Sequence, residues 1–299
     1  MSGYIAIDGG TTNTRVSFVK NGEVVGRIKE STGAGDGREK LMRAVAEMLN
    51  EAERDFGKAE AIIASGMITS KNGLYELPHI SAPAGIKDLH AGMKKARIMG
   101  FDFTFIPGIK KESKSAENAD MMRGEETELA GLAEKPESDC AYILPGSHSK
   151  CILTDESGRI CDFSTYLTGE MISALIGGTI LKESVCYSDT DTEYLAYGFD
   201  MCEKLGINEA LFKTRILDCV VGCEKPKIFS CFMGVVMHDE IKRIANIGAK
   251  KYVVGGKSEL RIPETFLLRK LAGDNVFELT DEMCKNASAL GAVKIFEYK

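Results

Sequence analysis

The sequence has no tryptophan, only four histidines and no long apolar run. Its longest uncharged apolar stretch, Met171–Leu181, falls well short of the ~20 residues that a transmembrane helix needs. The first residues lack the basic start and apolar run of a signal peptide, so we expect none. A net charge of −6 argues against nucleic acid or an anionic membrane surface as the main partner. We therefore expect a soluble, cytoplasmic protein with no nucleic-acid or membrane partner.

The nine cysteines do not form a recognisable metal-binding motif. Cys219 and Cys223 lie four residues apart and could share one face of a helix, but no second pair or nearby histidine completes a four-ligand zinc site. A chain of 299 residues can build cores large enough to fold without disulfides. We predict that the cysteines are reduced, buried, small apolar side chains of an intracellular protein.

Two segments of the chain, 5–28 and 142–163, share one pattern of strand, turn, strand, turn and strand. The spacing from Gly10 to Gly22 is the same as that from Gly146 to Gly158. Glycine gives a turn open backbone N–H groups, and with small hydroxyls these bind phosphate oxygens. The repeat predicts a two-domain enzyme that uses ATP. The turn residues predicted to bind its phosphates are Gly10, Thr11, Thr12, Asn13, Gly146, Ser147, His148 and Lys150.

Apolar periodicity divides the rest of the chain into helices and strands. Strand-rich starts and helix-rich ends in each half predict mixed sheets with helices on their faces. We place the domains at 1–118 and 119–299, with the last helix a candidate to pack back on the first domain, and residues 33–37 as a flexible link. Helices are predicted at 38–56, 88–99, from 123, at 171–181, 192–205, 209–220, 230–247 and 282–296, and further strands at 61–64, 103–106, 252–254 and 276–279.

Two positions outside the phosphate turns indicate ligand contacts. Asp8 ends the first strand beside two glycines, where a carboxylate could hold Mg²⁺ directly or through water; a turn aspartate bonded to its own loop is the alternative. The second copy has Leu144 at that place. Gly255 and Gly256 follow the strand at 252–254 and would let adenine approach the backbone, with a plain tight turn as the alternative.

The motifs Arg123-Gly124-Glu125-Glu126-Thr127 and 145–150 resemble those of the 2-dehydro-3-deoxygalactonokinase family. This family belongs to the superfamily of acetate and sugar kinases, heat-shock chaperones and actin. The matching stretches keep the family's order over most of the chain: 6–15, 65–85, 122–129, 144–150, 162–170 and 253–258. Two departures are Gly9 and Cys151, which stand where the family usually has tryptophan.

The resemblance implies an α/β protein with two ribonuclease-H-like domains of the actin-like ATPase fold and a hinge cleft between them. It also implies a Mg²⁺-dependent transfer from ATP to the 6-hydroxyl of 2-dehydro-3-deoxy-D-galactonate. In the superfamily the general base stands at the start of the bridging helix, so we favour Glu126, then Glu125, ahead of the upstream Asp120. Candidates for holding the sugar acid are Arg15, Gly66, Met67, Ser70, Asn72 and Arg123.

Three other functions remain open at this point. The chain could phosphorylate another keto-deoxy sugar acid, or it could be an exopolyphosphatase-like hydrolase, since that family has a similar acidic motif in its bridging helix. From a different class, it could be an ATPase that activates a partner enzyme through a cysteine-held iron–sulfur cluster, although no compact cysteine pair lies near a glycine-rich loop. A sugar acid and ATP are the expected partners, and a homodimer is considered.

Overall fold

The computed structural model describes residues 3–132 and 139–299. The chain forms two compact units: the first contains Met1–Ser138, Leu153–Phe163 and Glu282–Lys299, and the second contains Asp139–Ile152 and Ser164–Asp281. The predicted domain boundary at residue 118 stays a prediction. Within the described ranges, no helix is both long and apolar enough to cross a membrane.

The chain contains runs of strands followed by helices. The strands are β1 (Gly3–Gly9), β2 (Thr14–Lys20), β3 (Glu23–Glu30), β4 (Ala59–Gly66), β5 (Ile80–Ser81), β6 (Lys94–Ile98), β7 (Phe101–Phe105), β8 (Ile109–Lys111), β9 (Asp120–Met122), β10 (Cys140–Leu144), β11 (Ser149–Thr154), β12 (Ile160–Tyr166), β13 (Lys251–Val254) and β14 (Val276–Glu278). The helices are α1 (Arg38–Phe56), α2 (Ile86–Gly92), α3 (Glu125–Leu132), α4 (Thr168–Gly178), α5 (Thr192–Leu205), α6 (Ile207–Ile216), α7 (Lys225–Ala245), α8 (Ser258–Ala272) and α9 (Asp281–Phe296).

The repeated hairpin predicted from the sequence is confirmed by the strand order of the two larger sheets. One sheet has the order β3-β2-β1-β4-β7-β6 and the other has the order β12-β11-β10-β13-β14. In both, the first strand lies between the next strand along the chain on one side and a parallel strand on the other. The carboxyl ends of β1 and β10 therefore meet the predicted phosphate turns at the same place in each sheet. A small third sheet has the order β5-β8-β9.

Helix α1 covers the predicted range 38–56 because its apolar residues recur at helical spacing. These residues are fully buried against the first sheet: Leu41, Val45, Met48, Leu49 and Ala52.

The predicted helix at 88–99 is wrong over its second half. Helix α2 ends at Gly92, and β6 then pairs with β7 as an antiparallel hairpin. The turn consists of Met99 and Gly100, with φ of 53° and 84°, the left-handed conformation of a two-residue hairpin turn. Gly100 was the local signal for this turn, and the helical spacing of Leu89, Met93 and Ala96 runs across the boundary between α2 and β6.

The segment at 33–37 is not the flexible link that we predicted. Residues Ala34–Asp36 form a 3₁₀ turn that packs against the first phosphate turn. The Ala34 N–H donates to the Gly10 carbonyl at 3.0 Å, and the Gly35 N–H donates to the Thr11 carbonyl at 2.8 Å. Those bonds give the phosphate turn a rigid support.

The cysteines are all free thiols, but they are not all buried as predicted. Three of them are exposed: Cys161, Cys186 and Cys219.

Two glycines bring α3 and α9 into direct backbone contact within the first unit. A Cβ at Gly291 would lie 1.8 Å from the carbonyl oxygen of Thr127, and one at Gly131 would lie 1.9 Å from that of Ala287. This contact fixes α3, whose first turn carries three glutamates.

We expect Gly291→Ala to lower the free energy of unfolding by at least ~2 kcal/mol, because backbone atoms must move to admit the methyl group. Gly177, an exposed glycine near the end of α4, is the matched control, since an added methyl group there would have no neighbour within 4 Å. Gly177→Ala should be neutral or stabilising by up to ~1 kcal/mol. Urea unfolding of both variants tests this, and equal stability of the two would contradict close packing of α3 on α9.

Candidate functional site

The first phosphate turn presents exposed hydroxyls at the end of β1. Thr11 and Thr12 are exposed, and Asn13 is half-buried with its amide donating to the Thr12 hydroxyl at 2.8 Å. The Gly10 N–H donates to the Asn13 carbonyl at 2.8 Å, which closes the turn. With two of its carbonyls bonded to the 3₁₀ turn, the loop is well ordered and chemically suited to a phosphate.

Asp8 and Arg15 form an ion pair across the first hairpin. They are register partners on β1 and β2, and the Arg15 Nη1 lies 2.6 Å from the Asp8 Oδ2. The Asp8 side chain is 24% exposed and that of Arg15 is 36% exposed. Arg15, predicted to contact the sugar acid, is thus placed beside the carboxylate predicted to serve the metal.

There is no room for a tryptophan at position 9. A Cβ on Gly9 would lie 2.5 Å from the Cβ of Ile68, because β1 pairs with β4 and the chain then turns across the end of both strands. Gly66 has a φ of 82°, which favours glycine, and begins that turn. The absence of the family's tryptophan therefore matches the close packing of these two strand ends.

Glu126 lies inside the protein at the start of α3. It is 1% exposed, and both of its carboxylate oxygens accept the Gly124 N–H, at 2.9 and 2.8 Å. The Thr127 hydroxyl donates to the same carboxylate at 3.1 Å. Burial first, and then the negative charge of Glu125, raise the pKa of Glu126 to about 7, while these hydrogen bonds oppose the rise. A carboxyl that titrates near neutrality has a suitable pKa for a general base.

Glu128 is an acidic residue of this region that sequence reasoning missed. Burial and the nearby negative charges of Asp8 and Glu125 raise its pKa to about 8, and Arg15 opposes the rise. Residues three apart share a helix face, so Glu125 and Glu128 project together, while Glu126 points about 100° away from Glu125. The side of α3 next to Asp8 is therefore formed by Glu125 and Glu128. Their spacing in the sequence was the available signal.

Stability should fall as the pH rises because the pKa of buried Glu126 is higher than in the unfolded chain. The sign follows from linkage. The stabilisation that Glu126 contributes is complete below pH 4.5, the usual pKa of a glutamate, and is lost as the pH rises through about 7. At ~1.4 kcal/mol per pKa unit, the loss is at most ~3 kcal/mol. Unfolding by urea at pH 5, 6, 7 and 8 measures it. Glu126→Gln, which cannot ionise, should make the fall smaller and leave the part due to Glu128 and Glu264, and an unchanged slope would contradict the raised pKa of Glu126.

Arg123 holds the loop after β4 in place. Its guanidinium donates to the carbonyls of Thr69 and Leu77, at 2.9 and 2.8 Å, and to the Thr69 hydroxyl. It also lies 3.1 Å from Nδ1 of His79. Burial, followed by the charges of Arg123 and Lys110, lowers the pKa of His79 to about 4, so this ring is neutral at pH 7.

That loop carries the other residues predicted to bind the sugar acid. Met67 and Ser70 are half-buried, and the Ser70 hydroxyl donates to the Met67 carbonyl at 2.7 Å. Asn72 is exposed. Asp120, the upstream alternative for the base, lies on β9 and accepts the Met121 N–H at 2.7 Å.

The second phosphate turn lies between β10 and β11 in the second unit. Ser147 and His148 are exposed, and Nε2 of His148 lies 2.7 Å from a carboxylate oxygen of Glu170, on the first turn of α4. A Cβ at Gly169 would lie 2.2 Å from the Gly146 carbonyl oxygen, so α4 starts directly against this turn.

Lys150 is 3% exposed, and its ammonium group donates to the His148 carbonyl at 3.3 Å. Its side chain therefore contacts the backbone of the turn itself.

The predicted adenosine turn packs against the same phosphate turn. Gly256 has a φ of 77°, a left-handed conformation that favours glycine. A Cβ there would also lie only 2.6 Å from the Pro145 carbonyl oxygen, so the position has no space for a side chain. Buried Arg261 donates to the Gly256 carbonyl at 2.9 Å and to Glu278 at 3.0 Å, and it also bonds to Asp281. Sequence reasoning missed Arg261. Its acidic partners lie 17 and 20 residues later, on β14 and at the start of α9.

The residues near the first phosphate turn fit a magnesium ion that is bound mainly through phosphates. Among the described residues, no group of three or more His, Cys, Asp or Glu is arranged to hold a metal by itself. Mg²⁺ in nucleotide enzymes typically takes one or two carboxylates and completes its shell with phosphates and water. The partly exposed carboxylate of Asp8 meets that requirement.

Comparison with known proteins identifies relatives along nearly the whole chain. The sequence model of the family described as 2-keto-3-deoxy-galactonokinase matches residues 8–275. The 2-dehydro-3-deoxygalactonokinase of Escherichia coli (strain K12) is 24% identical over an alignment of 287 residues that covers 92% of this chain and 94% of that protein.

Solved structures show the same fold. A crystal structure from Sinorhizobium meliloti, provisionally named as a 2-dehydro-3-deoxygalactonokinase protein, has a TM-score of 0.80 at 21% identity and covers 99% of this chain and 100% of that one. A xylulose kinase from Lactobacillus acidophilus has a TM-score of 0.52 at 11% identity and covers 99% and 89%. The predicted α/β actin-like ATPase fold is thus confirmed. Since the family model matches most of its length, the chain belongs to the 2-keto-3-deoxy-galactonokinase family.

Proposed function

We propose that the protein transfers the γ-phosphoryl group of ATP to the 6-hydroxyl of 2-dehydro-3-deoxy-D-galactonate. The observation that carries this proposal is the family match over residues 8–275, and a curated relative with that activity in its name supports it. Family membership makes the protein a kinase, a phosphotransferase that uses ATP and an alcohol acceptor. The proposal also includes the exact sugar acid, a homodimer and a cytoplasmic location.

Phosphoryl transfer needs positioning and charge neutralisation more than covalent chemistry. In the first unit, the turn at 10–13 would bind phosphate oxygens, and Asp8 would hold Mg²⁺, which offsets negative charge on the phosphates. In the second unit, the turn at 145–148 would bind phosphate, and Gly255-Gly256 would receive the adenosine. Arg15, Arg123 and the loop at 66–72 remain the proposed contacts for the sugar acid.

A glutamate at the start of α3 is proposed to take the proton from the attacking hydroxyl. The sequence favoured Glu126, whose pKa of about 7 suits that role. Its carboxyl is nevertheless enclosed, with both oxygens on the Gly124 N–H. Glu125 accepts the Arg123 N–H with one oxygen at 3.1 Å, but it is half exposed and shares a face with Glu128 beside Asp8. We therefore propose that Glu125 contacts the hydroxyl and that Glu126 fixes the start of the helix.

A substrate panel tests the proposed reaction. ATP consumption would be measured with Mg²⁺ and the keto-deoxy acids derived from galactonate and gluconate, with glucose, with polyphosphate and with no acceptor. We expect the galactonate-derived acid to have the highest kcat/KM. Preference for the gluconate-derived acid would move the proposal to a related sugar acid. Phosphate release from polyphosphate would favour a phosphohydrolase, and ATP hydrolysis without any acceptor would favour an ATPase that acts on a partner protein.

A further inference from the structure

A buried carboxylate lies directly beneath the second phosphate turn. Glu240, on α7, is 3% exposed, and its two oxygens accept different hydroxyls. The hydroxyl of Ser149 donates to one oxygen at 2.5 Å, and the hydroxyl of Thr168 donates to the other. Ser149 begins β11, just after the phosphate turn, and Thr168 begins α4. One carboxylate thus joins α7 to both elements that border the turn.

The backbone around the turn is closely packed on two sides. Gly169, next to Thr168, lies against Gly146 and Ser147, and Gly256 lies against Pro145 on the other side. Any movement of Ser149 or Thr168 would therefore be passed to the phosphate-binding backbone. Helix α7 is itself fixed, since Gly234 packs against the backbone of α5.

A second buried acid, Glu264 on α8, lies beside Glu240. It is 1% exposed, and within the described part of the chain neither of its oxygens meets hydrogen-bond geometry with a partner. Burial and the charge of Glu240 raise the pKa of Glu264 well above its usual value. Burial raises the pKa of Glu240 as well, but the hydrogen bonds from Ser149 and Thr168 oppose that rise, so Glu264 is the carboxyl of the pair that keeps its proton to the higher pH. Once ionised, Glu240 is the stronger acceptor for the two hydroxyls.

We propose that Glu240 is a positioning residue for nucleotide binding: through the hydroxyls of Ser149 and Thr168 it sets the geometry of the second phosphate turn without touching the ligand. The inference rests on the proposed function in that ATP is taken as the ligand of this turn. It predicts that the affinity for ATP depends on side chains buried behind the site.

The test is the dissociation constant of Mg·ATP, measured by equilibrium titration without a sugar acid, for the full-length chain and its variants. Thr168→Val keeps the shape but removes the hydroxyl, and Glu240→Gln removes the charge. Each should raise the Kd about tenfold, the effect of losing one hydrogen bond to a charged group. Thr168→Ser keeps the hydroxyl, so its Kd should stay within about threefold of the wild-type value. That change is smaller than the one expected from losing such a hydrogen bond. Asp239→Asn, an exposed neighbour on α7, is the matched control and should not change the Kd.

Thermal unfolding separates positioning from a merely structural role. If Thr168→Val and Ser149→Ala lower the melting temperature but bind Mg·ATP as tightly as the wild type, the inference is overturned. It is also overturned if Thr168→Ser weakens binding as much as Thr168→Val. Should Glu240→Gln fail to fold, the two hydroxyl variants decide the question. Failure of the proposed function looks different: the wild type would bind Mg·ATP, with the same response to these variants, but would phosphorylate no sugar acid.

Discussion

Replacement of Glu125 by glutamine should lower kcat by ~10²–10⁴-fold, the usual contribution of a general base. Glutamine keeps the size of the side chain but cannot accept the proton of the sugar hydroxyl. Binding of Mg·ATP should be nearly unchanged, because the substitution removes no proposed phosphate contact. Glu39→Gln, in the first turn of α1 and exposed, is the control and should have wild-type turnover.

Glu126→Gln decides between the two neighbouring acids. If Glu126 only fixes the start of α3, the neutral glutamine can still accept the Gly124 N–H, and kcat should stay above about a tenth of the wild-type value. The pH profile gives a second criterion, since a base with a pKa of about 7 would impose a rise in kcat near neutrality that Glu126→Gln abolishes. A loss of ~10²-fold or more in Glu126→Gln, with a mild effect of Glu125→Gln, would return the assignment to Glu126.

The parts of the fold that were predicted correctly have local signals. Glycine turns and strand alternation identified both hairpins, and apolar spacing identified α1 and α5 at their observed bounds. The helix predicted at 88–99 failed over its second half because Leu89, Met93 and Ala96 lie at helical spacing by coincidence, while Ala96 and Ile98 belong to the short strand β6.

The contacts behind the candidate sites were not predictable because they join distant parts of the chain. Ser149 and Glu240 are separated by 91 residues, so no sequence window contains both. The burial of Glu126 depends in the same way on elements outside α3. Helical geometry does show which glutamates share a face, but which face is enclosed depends on the packing of α3 against α9 and β4.

Asp8→Asn should lower kcat by at least ~10²-fold and leave the melting temperature nearly unchanged. This loss in kcat is the size expected when one preorganised charged group is removed from an active site. The small effect on stability follows because the ion pair with Arg15 is partly exposed, and such pairs contribute ~0–1 kcal/mol. If Asp8 binds the metal, Asp8→Asn should also raise the Mg²⁺ concentration needed for half-maximal activity. A titration with MgCl₂ at fixed ATP would measure this concentration. Asp102→Asn is a matched control, since Asp102 pairs with Arg97 across a hairpin of the same sheet. An Asp8→Asn variant with normal turnover, or one that unfolds far earlier than the wild type, would assign Asp8 to the turn itself.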